Sequence, residues 1–137
     1  MDPLADLLTI HDFEALARSR MDPGAFDYYA GGAEDELTLA ANRAAFARVG
    51  FRPRVLVDVS QIQLATSLFG TALRLPVLLA PTAFNRLGHP DGERAVARAA
   101  AHAGTTLVVS TMASTALEDI AAVDPRPQLW FQLYVFR

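Results

Sequence analysis

Apolar positions in the first fifty residues recur at helical spacing, and beyond Gln63 they give way to short runs that suit strands. Thr9 is placed to cap a helix in which Ile10, Phe13, Leu16 and Ala17 share a face. Asp22-Pro23 then predicts a second helix start, with Asp22 as cap and Pro23 at the first helical position. That helix carries Phe26, Asp27, Tyr28 and Tyr29 and stops at Gly31-Gly32. A third helix is predicted from about Asp35 to Arg48, with Leu37, Leu39, Ala40, Ala44 and Phe46 as its apolar positions and Val49-Gly50 closing it. Phe51-Arg52-Pro53-Arg54 is extended, because a residue before proline is pushed out of the α region.

Gln63 to Leu75 reads as a hairpin: Leu64 to Leu68, a turn at Gly70-Thr71, then Ala72 to Leu75. Val77 to Ala80 is wholly apolar, which suits a strand covered on both faces in a parallel sheet, and Pro81 ends it because proline cannot donate to a ladder. A helix from Asp91 to about Ala103 follows, with Val96, Ala99, Ala100 and Ala103 as its packing face and Gly104 as its stop. Thr105 to Val109 is a second buried strand, with Ser110 to Ser114 as its C-terminal loop. Thr115 and Glu118 fit a capping box for a short helix to Ala122, and a third strand runs from Leu129 to Val135. This βαβαβ order favours a parallel sheet with right-handed connections. Ligands in such folds sit beyond the C-terminal ends of the strands. An apolar strand at the chain's end leaves an open sheet edge, so the sequence reads as the front part of something larger.

Composition narrows the function classes. A chain of 137 residues that is 52% hydrophobic and 20% charged can bury a core within one domain. The net charge of −3 gives no electrostatic reason to expect nucleic acid or an anionic membrane surface as partner. The absence of cysteine excludes disulfides and thiolate chemistry, and the three histidines are scattered without ligand spacing, so no metal is expected. No signal peptide is read at the acidic N-terminus, and no apolar run reaches about 18 residues, so a cytoplasmic location without membrane contact is expected.

Gln132 and Tyr134 stand two apart on the third predicted strand. Period 2 puts both side chains on one face and Phe131, Leu133 and Val135 on the other. A polar pair near the C-terminal end of an inward strand face is a ligand-contact signal. On the residues alone, plain structural roles also stand. Tyr28 can pack at a helix end, Pro81-Thr82-Ala83 can be an ordinary strand-to-loop turn, and Ser110 can be a loop serine. Arg52 and Arg54 fit a solvated face or ion pairing better than an anion site. No glycine-rich phosphate loop follows Val77 to Ala80, which weakens a generic nucleotide-binding reading.

Five segments carry a resemblance: Phe26 to Asp35 (FDYYAGGAED), Phe51 to Ser60 (FRPRVLVDVS), Ala80-Pro81-Thr82-Ala83, His89-Pro90-Asp91-Gly92-Glu93, and Phe131-Gln132-Leu133-Tyr134-Val135. In this order and spacing they resemble the FMN-dependent 2-hydroxy-acid oxidase and dehydrogenase family, the group of glycolate oxidase, lactate oxidase and mandelate dehydrogenase. The resemblance runs from about Thr9 to Arg137. It implies an α/β fold, the N-terminal part of a TIM barrel that binds FMN at the strand ends. A whole barrel needs eight strands and about 250 residues. Residues 1–137 would therefore form a single incomplete domain, with 1–75 as a helical and hairpin cap and 76–137 as about three parallel βα units.

The resemblance also implies roles. Tyr28 and Tyr134 would bind the substrate carboxylate. Pro81, Thr82 and Ala83 would lie against the flavin through their backbone, with Ser110 as a hydroxyl donor and Gln132 as an amide partner to the ring. The family's histidine base, its arginine neighbour and its flavin-contacting lysine belong to late strands, so no catalytic residue is expected in this chain. His89 is expected to be structural, and Met112 stands where many relatives carry a bulky aromatic, which leaves substrate size open. The implied activity is oxidation of a small (S)-2-hydroxy acid to the 2-oxo acid by a homo-oligomeric parent, with this chain inactive alone. The alternative is a non-catalytic remnant or interaction fragment that folds only with a complementary half.

Overall fold

The N-terminal helices begin where side chains satisfy their free N–H groups. The computed structural model describes residues 4–136. Helix α1 (Ile10–Arg20) starts after Thr9, whose hydroxyl accepts from the Asp12 N–H at 3.3 Å. The Asp12 carboxylate accepts in return from the N–H groups of Thr9 (2.7 Å) and Leu8 (3.0 Å), which completes a capping box. The Thr9 N–H above all holds the Asp12 carboxyl below its ordinary pKa. Helix α2 (Pro23–Ala30) starts as the sequence predicts, with Asp22 accepting from Gly24 and Ala25. Its stop at Gly31 is a matter of space: φ is −76°, and a Cβ there would lie 2.8 Å from the Asp27 carbonyl oxygen. Helix α3 (Leu37–Phe46) is shorter at both ends than the predicted 35–48. Glu36 is left-handed with φ 57°, and Ala47, Arg48 and Val49 turn by 3₁₀-type bonds instead of continuing the α ladder.

These helices form the first of two compact units, which divide between Val57 and Asp58. Its buried aromatic is Phe26, with the Arg18 guanidinium 4.4 Å above the ring. Arg52 and Arg54 are exposed. Among the described residues no helix is long and apolar enough to cross a membrane.

In the second unit, β1 (Thr66–Leu68) and β2 (Thr71–Leu73) pair antiparallel with Leu68 opposite Thr71. The turn is therefore Phe69-Gly70, one residue earlier than the sequence predicts. Both turn residues have positive φ (48° and 78°), the requirement of the tight hairpin loop whose twist matches its strands. Thr71, β-branched, is better placed in the ladder than at such a position.

Strands β3 (Thr106–Val109) and β4 (Gln128–Phe131) pair in parallel, Thr106 opposite Gln128 and Val109 opposite Phe131. The segment 77–80 lies on the other side of β3 but makes one parallel bridge, Leu79 to Leu107, rather than the predicted strand. Its bonds are Leu79 N–H to the Thr106 carbonyl and Val108 N–H to the Leu79 carbonyl, both 3.0 Å. The predicted burial on both faces is corrected as well. Val77 is 54% exposed, and of this run only Leu79, the one residue bridged to β3, packs against the core.

Helix α4 (Gly92–Ala103) packs on β3 and buries Gly92, Glu93, Ala97 and Ala100. Ala99 and Ala103, predicted on the packing face, are exposed. Arg94, Arg98 and His102 at i, i+4 and i+8 mark the polar side of this helix, and among the alanines flanking the opposite side the partner surface selects Ala97 and Ala100. Ala97, Ala100, Leu107, Val109 and Ile120 form the core, with Leu79, Val96, Ala113, Val123 and Leu129 packed against it. Helix α5 (Leu117–Ala121) supplies Ile120.

Gly104 ends α4 in the left-handed region, φ 68°, and its carbonyl accepts from the Arg74 N–H at 2.9 Å. A Cβ there would sit 2.6 Å from Arg74 Cγ. Gly104→Ala is expected to cost about 1–2 kcal/mol, read as a shifted denaturation midpoint with unchanged slope.

Candidate functional site

Parallel pairing brings the segments that follow Leu79, β3 and β4 to one end of the second unit. These are Ala80 to Phe84, Ser110 to Met112, and Gln132 to Tyr134. Cross-links between them define the site. The Phe84 N–H donates to the Met112 carbonyl at 3.0 Å, joining the first segment to the second. Thr111 joins the second to the third. Its N–H donates to Gln132 Oε1 (3.3 Å), its hydroxyl donates to the Gln132 carbonyl, and the same hydroxyl accepts from the Tyr134 N–H (3.0 Å).

Six of the seven residues singled out from the sequence therefore gather at this end. Pro81 and Thr82 are exposed and Ala83 is half-buried. Ser110 is buried, and its hydroxyl oxygen accepts from the Met112 N–H at 3.1 Å. Among the described residues the proton of that hydroxyl meets no acceptor. The seventh, Tyr28, lies on α2 in the first unit; it is 53% exposed, with its ring edge-on to Tyr29 at 5.3 Å.

The predicted geometry of Gln132 and Tyr134 is corrected. They do not share the face of a continuous strand, because β4 ends at Phe131. Gln132 adds one further bond, its N–H to the Val109 carbonyl at 2.8 Å. The next ladder bond would run from the Thr111 N–H to the Gln132 carbonyl. Here the Thr111 N–H goes to the Gln132 side chain and the Thr111 hydroxyl takes the carbonyl. Side chains replace the ladder, and the chain leaves the sheet. Tyr134 is then held through its backbone N–H, with its ring half exposed and 5.8 Å from that of Phe136.

Glu93 is the residue that sequence reasoning missed. It is 2% exposed. Its Oε1 accepts from the N–H groups of Asn85 (3.3 Å) and Ser114 (2.7 Å), and its Oε2 from the hydroxyls of Ser114 (2.9 Å) and Thr115 (2.7 Å). Ser114 Oγ accepts in turn from the Arg86 N–H at 3.1 Å. One carboxylate thus braces the loop after Leu79 against the loop after β3. Burial pushes its pKa up, but the bonds from Thr115 and Ser114 outweigh burial and hold it below the ordinary value. The available signal was a lone acid in line with Ala97 and Ala100, at i, i+4 and i+7. The predicted capping box at Thr115 is absent because that hydroxyl serves Glu93; α5 has no side-chain cap. His89 is exposed in the same loop, its Nδ1 accepting from the Asp91 N–H at 3.1 Å.

The model of a family described as FMN-dependent dehydrogenase matches residues 17–137. Glycolate oxidase 1 of Zea mays is 44% identical over 134 residues, covering 98% of this chain and 36% of that protein. The L-lactate oxidase of a Nostoc species is 49% identical over 140 residues, covering 100% of this chain and 38% of that protein. A mandelate oxidase solved with 3,3-difluoro-2-hydroxy-3-phenylpropionic acid superposes with a TM-score of 0.87 at 44% identity, over 93% of this chain and 38% of that one. An oxidised active mutant of (S)-mandelate dehydrogenase gives 0.89 at 40% identity, over 95% and 36%. The chain spans little more than a third of the length of these relatives.

Proposed function

Because the chain belongs to the FMN-dependent dehydrogenase family, we propose that it is the N-terminal part of an enzyme that oxidises an (S)-2-hydroxy acid to the 2-oxo acid. Residues 1–75 are read as the cap and 76–137 as the first strands of a barrel, within one incomplete domain. The observation that carries the reading is the convergence of Pro81-Thr82-Ala83, Ser110 and Gln132 at one end of parallel strands.

The donor set suits a flavin. The polar edge of its ring presents carbonyl oxygens and nitrogens, which call for hydrogen-bond donors. The Ser110 proton and the Gln132 NH₂ group have no acceptor among the described residues. Pro81, Thr82 and Ala83 are small enough to let backbone approach a planar ring. FMN, when bound, supplies the redox chemistry and takes up the hydride equivalent. The protein's part is to bind and orient. Ser110 and Gln132 donate to the ring edge, and the half-exposed phenol of Tyr134 donates to the substrate carboxylate. Tyr28 is assigned the same kind of contact from the family pattern. The base that takes the hydroxyl proton is assigned outside these residues. Such a group contributes about 10²–10⁴-fold, so the chain alone is expected to be nearly inactive. The substrate partner is a small 2-hydroxy acid, and the parent is read as a cytoplasmic homo-oligomer.

The test is titration of the purified chain with FMN, followed by flavin fluorescence and size-exclusion chromatography. Saturable binding is expected, and Gln132→Leu should weaken it by about tenfold, the scale of one unmade hydrogen bond in a desolvated site. A folded chain that takes no FMN overturns the reading.

A further inference from the structure

We propose that Thr111 is a positioning residue whose backbone N–H turns the Gln132 amide and whose hydroxyl holds the Gln132 carbonyl and the Tyr134 N–H, so that one residue organises both contacts. The inference rests on the flavin and substrate reading of Gln132 and Tyr134. The geometry that carries it is the three-bond set of Thr111 to Gln132 Oε1, the Gln132 carbonyl and the Tyr134 N–H.

Each bond has only one possible direction. A backbone N–H can only donate, so the Thr111 hydroxyl accepts from Tyr134 and spends its single proton on the Gln132 carbonyl. The Thr111 N–H likewise selects the amide oxygen of Gln132, so the NH₂ group is turned away from Thr111 and left to donate elsewhere. Ser110, one residue earlier, turns its hydroxyl back on the Met112 N–H and holds neither residue. Thr111 is half-buried, and its β-branch restricts χ1, so the hydroxyl is held at the rotamer that spans both partners.

Thr111→Val keeps the branched shape and the backbone N–H and removes only the hydroxyl. Without the hydroxyl the Gln132 carbonyl and the Tyr134 N–H are released, the Gln132 backbone is no longer fixed where the Thr111 N–H meets its amide, and FMN affinity is expected to fall about tenfold. Amide exchange at Tyr134 should accelerate in the flavin-free chain, and the bound-flavin absorption band should shift as in Gln132→Leu. A merely structural role would not move that band. Thr111→Ser should restore most of each loss, and Thr111→Ala reads the same loss without a branched side chain if the valine variant fails to fold. If Thr111→Val and Thr111→Ala bind FMN like the parent chain while Gln132→Leu does not, the positioning role is overturned and the flavin reading stands. If the folded parent chain takes no FMN, the flavin reading falls, and the role of Thr111 falls with it.

Discussion

Glu93→Ala is expected to cost the second unit about 3 kcal/mol or more of stability. The carboxylate is almost fully buried and receives bonds from Asn85, Ser114 and Thr115. Removing it leaves the part-buried Ser114 N–H and Thr115 hydroxyl without their acceptor, and a donor left unsatisfied away from water costs about 1–3 kcal/mol. Glu93→Gln is expected to cost less, because one oxygen remains, but its NH₂ would face hydroxyls and an N–H that the carboxylate now satisfies as an acceptor. The sign of the pH dependence follows from the lowered pKa. The ionised form is favoured in the folded chain, so its stabilisation is fully present above the unfolded value near 4.5 and lost as pH falls below that value. Denaturant unfolding at pH 7 and at pH 3 to 4 checks both points. The wild-type chain should lose more stability on acidification than Glu93→Gln, and equal losses would show that Glu93 carries no part of the acid sensitivity.

Glu93 also marks the boundary of what the sequence discloses. Features that depend on a few neighbouring residues were legible: the Thr9 and Asp22 caps, the glycine stop at Gly104, the buried strand read from Thr105 to Val109 that is β3. The order of the family segments was legible too, because it needs no geometry. What was not legible depends on partners about twenty or more residues away. Thr115 looked like a cap for its own helix, and only the fold shows that its hydroxyl belongs to a carboxylate 22 positions earlier. Gln132 and Tyr134 looked like one strand face until Thr111, 21 and 23 residues before them, took over the ladder bonds. The alanines of α4 were symmetric enough that Ala97 and Ala99 could not be ranked until β3 and α5 were in place.

Ile120→Ala should be comparably damaging, for a different physical reason. Ile120 is fully buried among Ala97, Ala100, Leu107 and Val109, on a five-residue helix that has no side-chain cap. A helix that short has little stability of its own, so burial of this side chain is what anchors α5. Truncation removes the transfer term and leaves a cavity that the flat alanine face of α4 cannot close, at a cost of about 2–5 kcal/mol. Only Ala116 separates Thr115 from helix α5, so loosening the helix should also slacken the bonds to Glu93. The double variant with Glu93→Ala is therefore expected to lose less than the sum of the two single losses, with a coupling above about 0.5 kcal/mol. Denaturant midpoints at unchanged slope supply all three values. Strict additivity would mean that the core and the carboxylate brace support the strand-end loops independently.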